Sequence, residues 1–290
     1  MPQSDPENLF RQIHLTTELS DDDAEKFRQV RLLHEHKPKL VDRLVSDQVQ
    51  VYKPNGELLL ALVKEILDED LCNKAFELLE QVKGDPSNRP EIIGKGARTQ
   101  SVRKDGTVGL RVGVSSSVLK AYGGKTDFLG HYRYRNSAPG VLDCKLTGWT
   151  RSKPNIYHDV MPFIHEVTKV YKTFLPIAYK RQMEYVDTVP EAHKIRGTAF
   201  TTLYVLKNAP TAVHTDDMDI RTGFGVMASL GGWKGGELYF PKYRVAVDYR
   251  PSDVILADVH ELHGNFPLIE GIRVACVFFV REGIHECPTS

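Results

Sequence analysis

Residues 214–219 read HTDDMD, residues 236–265 read GELYFPKYRVAVDYRPSDVILADVHELHGN, and residues 271–280 read GIRVACVFFV. The last two stretches, with FTTLYVL at 200–206 and GFGVMASL at 223–230, break into short runs rich in Val, Leu, Phe and Tyr, parted by Gly, Pro, Asp and Asn. Runs of that length and composition between turn residues are strands. Several in succession, with no helical pattern between them, predict two facing sheets, a jelly roll. Nothing along the chain repeats at a fixed period, which excludes a solenoid or propeller.

Upstream, the pattern is helical. LDEDLCNKAFELLEQVKGD (67–85) places Leu71, Ala75, Leu78, Leu79 and Val82 on one face, with Gly84 as a stop. DVMPFIHEVTKVYKTFLPIAYKRQMEYV (159–186) repeats apolar residues at three- and four-residue intervals until Pro176, which has no amide proton to give a helix interior. A stop or bend is expected there. SDDDAEKF from Ser20 offers an N-cap followed by acidic first-turn residues. QVQVYKPNGELLLALV (48–63) reads as a hairpin around Lys53-Pro54-Asn55-Gly56. The expected fold is α+β: a double-stranded β-helix (jelly roll) core with N-terminal helices packed on the outside of one sheet. A single domain over 1–290 is expected, divided into an N-terminal helical and hairpin elaboration (1–90), a basic substrate-binding segment with a scaffold helix (91–195) and the jelly-roll core (196–290).

The chain has 290 residues, with 38 Lys plus Arg balancing 38 Asp plus Glu. That balance conceals an uneven distribution. Residues 1–90 carry 12 cations against 18 anions, residues 91–200 carry 18 against 9, and the rest 8 against 11. A middle third at net +9 is the footprint of a polyanion partner. The excess gathers in GKGARTQSVRKDGTVGLRVG (94–113) and GGKTDFLGHYRYRNSAPG (123–140), which show no clear periodicity. Arg98, Arg103 and Lys104, with Arg111, Arg133 and Arg135, are placed to meet phosphates, and Tyr132 and Tyr134 alternate with arginines as in a stacking surface.

No stretch approaches about 18 uninterrupted apolar residues, and MPQSDPENLF lacks the basic-then-apolar order of a signal peptide. An intracellular protein without a membrane partner is expected, nuclear if its source is eukaryotic. The four cysteines, Cys72, Cys144, Cys276 and Cys287, contain no C-x-x-C, so neither a disulfide framework nor a thiolate zinc site is expected.

His214 and Asp216 are two apart, so in an extended segment both side chains leave the backbone on one side. Joined by a distal histidine, they supply two imidazoles and one carboxylate, the facial triad of non-haem Fe(II) oxygenases. His260 and His263 compete for the distal place; Gly264-Asn265 at the following turn favours His263. Arg273 stands in an otherwise apolar strand, where a cation is costly unless it meets an anion. A planar guanidinium grips a carboxylate with two parallel hydrogen bonds.

HTDDMD, GGELYFPKYRVAVDYRPSDVILADVHELHGN and Arg273 resemble the TET/JBP family of Fe(II)/2-oxoglutarate dioxygenases, which oxidise modified or methyl-bearing bases in nucleic acid. The likeness is strongest over 196–281 and extends back through CKLTGWTR (144–151) and the helix after it. The resemblance implies that His214, Asp216 and His263 bind iron and that Arg273 pairs with the distal carboxylate of 2-oxoglutarate, with O2 as the second co-substrate. It further implies that Asp219 meets the exocyclic group of a flipped base. An acidic side chain accepts from the amine of cytosine or adenine and not favourably from a thymine carbonyl. Many dioxygenases have Ser two residues after the arginine; this chain has Ala275, which removes one hydroxyl from the co-substrate site.

The expected activity is oxidation of 5-methylcytosine in DNA to 5-hydroxymethylcytosine and further products, by a monomer that flips the methylated base. The alternatives are N6-methyladenine first, then thymine or an RNA base, and after those a protein or small-molecule hydroxylase.

Overall fold

The computed structural model describes residues 9–84, 98–102, 108–112, 124–135 and 142–288. Fifteen strands lie among them, numbered β1 to β15 in chain order. The larger sheet has nine strands in the order β1-β3-β4-β13-β10-β15-β9-β7-β8, and the smaller has four in the order β14-β11-β12-β2. β1 is Arg11–His14 and β2 is Arg43–Val45, and the ranges of the other strands are given below.

Alternation decides which side chains enter which core. In β10 (Gly225–Gly235) and β13 (Val254–Ala257), Val226, Ala228, Val254 and Leu256 join the cluster under the helices, while Met227, Ile255 and Ala257 turn to the smaller sheet. There they meet Leu238 and Phe240 of β11 (Leu238–Phe240) and Val245 and Val247 of β12 (Val245–Val247). Both faces of β13 are covered, so it reads as an unbroken apolar run. Such a buried Val or Leu contributes about 1.5–3 kcal/mol.

The hairpin around Lys53 is β3 (Val49–Tyr52) paired antiparallel to β4 (Leu58–Val63), with Gly56 at φ +85° in its turn. Of the helices, α1 (Asp21–Glu25) is capped by the Ser20 side chain, and the short α2 spans Lys37–Leu40. In α3 (Glu69–Leu79), Asp68 accepts from the Leu71 amide, and Cys72, Ala75 and Leu79 are buried. Two short helices, α4 (Gly148–Ser152) and α5 (Pro154–Asp159), lead into α6 (Met161–Phe174). α6 ends at the residue before Leu175-Pro176, and Pro176 opens α7 (Pro176–Val186), as its missing amide proton requires. α3 and α6 cover the outer face of the larger sheet, with Phe163 of α6 against Phe278.

Three expectations need correction. The middle segment, read as irregular, contains an antiparallel hairpin of β5 (Arg98–Val102) and β6 (Val108–Val112). It also contains β7 (Lys125–Arg135) and β8 (Leu142–Leu146), which extend the larger sheet. Their residues carry charges at strand positions, which hid the period. Second, Arg133 is engaged within the chain: its guanidinium donates to Glu286 Oε2 at 2.9 Å and to the Glu282 carbonyl at 3.2 Å. Third, Cys144 and Cys287 form a disulfide across 143 residues, with Cα atoms 5.8 Å apart. Spacing along the chain could not show it, because β8 and the C-terminal turn meet only through folding. Arg103 and Lys104 lie outside the described residues, and Arg98 is placed only as the first residue of β5.

The disulfide closes a long loop of the unfolded chain, so Cys144→Ser is expected to cost about 2–5 kcal/mol, read as a lower urea midpoint. A non-reducing peptide map lacking the Cys144–Cys287 cross-link would show that the pair does not form.

Candidate functional site

His214 follows β9 (Thr202–Lys207), and His263 precedes the two-residue β14 (Gly264–Asn265). The two histidines exchange both backbone hydrogen bonds, at 2.8 and 2.9 Å, as an isolated antiparallel bridge. Residues directly opposite in an antiparallel pair put their side chains on the same side. The ring centroids are 4.4 Å apart. Asp216 is held nearby by its amide on the Val259 carbonyl at 2.9 Å. Its carboxylate lies between the rings, Oδ1 at 3.5 Å from His214 Nε2 and Oδ2 at 3.7 Å from His263 Nε2.

One ligand atom from each of these three residues falls within 4.8 Å of the others, an arrangement that can hold a metal ion. The second nitrogen of each ring fits that use. His214 Nδ1 is 2.8 Å from the Ala212 carbonyl oxygen, and His263 Nδ1 is 2.9 Å from that of Glu261. A carbonyl only accepts, so Nδ1 carries the proton and Nε2 presents its lone pair to the shared centre. Burial and the nearby His214 push the pKa of His263 down to about 4, keeping it in the neutral form that ligates. Burial works to raise the pKa of Asp216, but the neighbouring His214 and His263 side chains outweigh it and lower it, so Asp216 is the carboxylate.

His260, the competing distal histidine, is turned away. Its Nε2 donates to the Asp219 carbonyl at 3.2 Å, and its Nδ1 lies 3.5 Å from Asp258 Oδ1.

The pocket beside the triad is walled by one face of β15 (Leu268–Phe279). Along it Val274, Cys276 and Phe278 point to the helices, whereas Arg273, Ala275, Val277 and Phe279 point into the pocket, and Arg281 continues that parity past the strand end. Arg273 is 2% exposed and has no carboxylate partner among the described residues; its Nη1 donates to the Gly236 carbonyl. Gly236 has φ +75°, and a Cβ there would stand 2.6 Å from Nη1, so glycine makes room for the guanidinium. A buried cation without an anion is costly. An acidic ligand in the pocket would balance it.

Asp219 and Arg281 line the same pocket. They form a backbone bridge, and Arg281 Nη1 lies 3.7 Å from Asp219 Oδ1. The Arg281 guanidinium also lies over the Tyr132 ring, 5.0 Å from its centroid. Burial and the charge of Asp216 push the Asp219 carboxyl well above the usual range, with Arg281 opposing them. Sequence reasoning missed Arg281, although its even spacing from Arg273 was legible. Tyr132, read as part of a stacking surface, lies on the pocket wall.

Comparison with known proteins places this site in a family. Residues 128–282, more than half of the chain, match the TET/JBP group, described as the oxygenase domain of the 2OGFeDO superfamily. The thymine dioxygenase JBP1 of Trypanosoma brucei brucei is 32% identical over 185 residues, covering 61% of this chain and 22% of that protein. The thymine dioxygenase JBP1 of Crithidia fasciculata is 30% identical over 188 residues, covering 62% and 23%. The chain thus spans less than a quarter of the length of these relatives. Among solved structures, NgTET1 in complex with 5mC DNA superposes with a TM-score of 0.58 at 14% identity, covering 93% of this chain and 94% of that one. At that identity the likeness speaks for the fold, a jelly-roll core.

Asp216→Ala is expected to weaken Fe(II) or Co(II) binding by at least about 100-fold, beyond the effect of most supporting residues, whereas His260→Ala leaves it within a few-fold. Calorimetric titration of the metal-free protein distinguishes the two; equal losses would return His260 to the ligand set.

Proposed function

This chain belongs to the TET/JBP family of 2-oxoglutarate- and iron-dependent oxygenases, and we propose that it oxidises the C5-methyl group of a pyrimidine in DNA, 5-methylcytosine first. The family implies Fe(II), 2-oxoglutarate and O2, and the residues fit them: the unprotonated Nε2 atoms and carboxylate of the triad suit a divalent metal, and the unbalanced Arg273 suits a dicarboxylate. When bound, iron with 2-oxoglutarate and O2 supplies oxidation of an unactivated C–H bond, 2-oxoglutarate leaving as succinate and carbon dioxide.

The protein's own part is to hold, orient and exclude water. His214, Asp216 and His263 would hold the metal, with Ala212 and Glu261 orienting the two rings. Arg273 would take the distal carboxylate, unaided by a hydroxyl at Ala275. Phe128, Tyr204 and Phe279 line the pocket with aromatic surface; the Phe128 and Tyr204 rings stack at 4.4 Å. Such walls keep water out and accept a planar base.

The observation that carries the reading is the acceptor beside a donor formed by Asp219 and Arg281 in the same pocket as the triad. Cytosine offers an amine beside a ring nitrogen that accepts, and Asp219 with Arg281 complements that edge. A base within a duplex cannot reach such a pocket, so flipping is required, with the basic middle segment, including Arg98, Arg103 and Lys104, gripping the backbone. The second reading is thymine, favoured by the thymine dioxygenases among the relatives. Arg281 supplies a donor that a thymine carbonyl could use, which the acid alone would not.

Nucleoside mass spectrometry after incubating DNA that contains 5-methylcytosine with the protein, Fe(II) and 2-oxoglutarate is expected to show 5-hydroxymethylcytosine. Oxidised thymine in place of it would select the second reading; succinate formation with no base altered would sink both. Arg281→Met is expected to lower base oxidation by roughly 10-fold or more, the worth of a good base-edge contact, while 2-oxoglutarate binding stays unchanged by calorimetry.

A further inference from the structure

The two metal-site histidines and Asp216 lean on one short loop. Residues 258–263 supply the Val259 carbonyl that fixes the Asp216 amide, the Glu261 carbonyl that orients the His263 ring, and the His260 ring that holds the Asp219 carbonyl. This loop carries two carboxylates, those of Asp258 and Glu261. A cation from a distant part of the chain meets both. Lys53, in the turn between β3 and β4, is 7% exposed, and its Nζ lies 2.7 Å from Asp258 Oδ2, 3.0 Å from Glu261 Oε1 and 3.4 Å from Glu57 Oε2.

We propose that Lys53 is a positioning residue for the metal centre, clamping Asp258 and Glu261 so that the loop presents the Glu261 carbonyl to His263 and the Val259 carbonyl to Asp216. The inference rests on the reading of the triad as a metal site. Three features support the clamp. Asp258 uses both oxygens, Oδ2 on Lys53 and Oδ1 on the His260 amide at 3.1 Å, so it passes the constraint along the loop. The turn holding Lys53 is itself closed, the Lys53 amide donating to the Glu57 carbonyl at 2.7 Å and the Gly56 amide to the Lys53 carbonyl at 2.9 Å. Burial opposes the charge on Lys53, yet its hydrogen bonds to Asp258 and Glu261 raise its pKa above the ordinary lysine value. Removing Lys53 would leave two partly buried carboxylates side by side, and their repulsion would turn the Glu261 backbone that holds His263.

Lys53 lies outside residues 128–282, the part that matches the family. In this chain the N-terminal hairpin is therefore a working part of the metal site.

The test uses the full chain, freed of metal and titrated with Co(II), whose visible absorption reports ligand geometry as well as occupancy. Lys64→Met is the matched control, since Lys64, just past the far end of β4, pairs with the fully buried Asp253 at 2.6 Å, away from the loop. Lys53→Met is expected to weaken Co(II) binding by about 10–100-fold, the range for groups that orient metal ligands, and to alter the Co(II) spectrum. Lys64→Met should lower the thermal midpoint and leave both unchanged. Lys53→Arg, keeping the charge, should recover most of the affinity. Equal Co(II) affinities for Lys53→Met and Lys64→Met would overturn the clamp. Should Lys53→Met fail to fold, Glu261→Gln cuts the contact from the other side and keeps the carbonyl, and unchanged Co(II) binding there overturns it as well. Failure of the unaltered chain to bind Co(II) would instead remove the metal reading on which the clamp depends.

Discussion

The backbone exchange between His214 and His263 is the constraint on which the rest of the site depends. Two hydrogen bonds join a segment that has just left the larger sheet to a loop about to enter the smaller one. Because opposed residues of an antiparallel pair share a side, the exchange alone brings two imidazoles together. Asp216, two residues on, then needs only the Val259 carbonyl to bring its carboxylate between them. The triad is thus built by backbone pairing at the place where the two sheets meet.

Strand parity organises the pocket in the same economical way. The side chains of β15 alternate between a helix-covered face and the pocket, so the strand that anchors the core through Val274, Cys276 and Phe278 also delivers Arg273 and Phe279 to the site. Placement of a guanidinium there depends on Gly236, whose missing side chain leaves room for it. A cation fixed by a rigid strand and left without a carboxylate among the described residues is ready for an acidic ligand. The energy to bury it comes from the packing on the opposite face.

Support for the site is spread over the chain's whole length. Lys53, in the N-terminal hairpin, pairs with Asp258 and Glu261 of the 258–263 loop, and the disulfide fastens the turn after Arg281 to β8. Arg133 reinforces that fastening through Glu286. The middle segment's positive charge is therefore not all available to a polyanion: part of it is spent inside the protein.

Local signals were enough to read the elements outside the middle segment. Alternating and apolar runs marked the jelly-roll strands, the spacing of Leu71, Ala75 and Leu79 marked a helix that ends at Leu79, short of the expected stop at Gly84, Pro176 divided another, and Gly56 marked a turn, because each depends on periodicity or on the allowed angles of one residue. The H-x-D spacing and the costly arginine in an apolar strand marked the chemistry for the same reason. Strands β7 and β8 were not legible, since the charged residues along them blur a period of two. The Cys144 to Cys287 pairing, the turning away of His260, the internal use of Arg133 and the joining of Arg281 to Asp219 depend on residues far apart in sequence. Only the tertiary structure decided them, because distance through space, and not order along the chain, governs which charges, thiols and hydrogen-bonding groups meet.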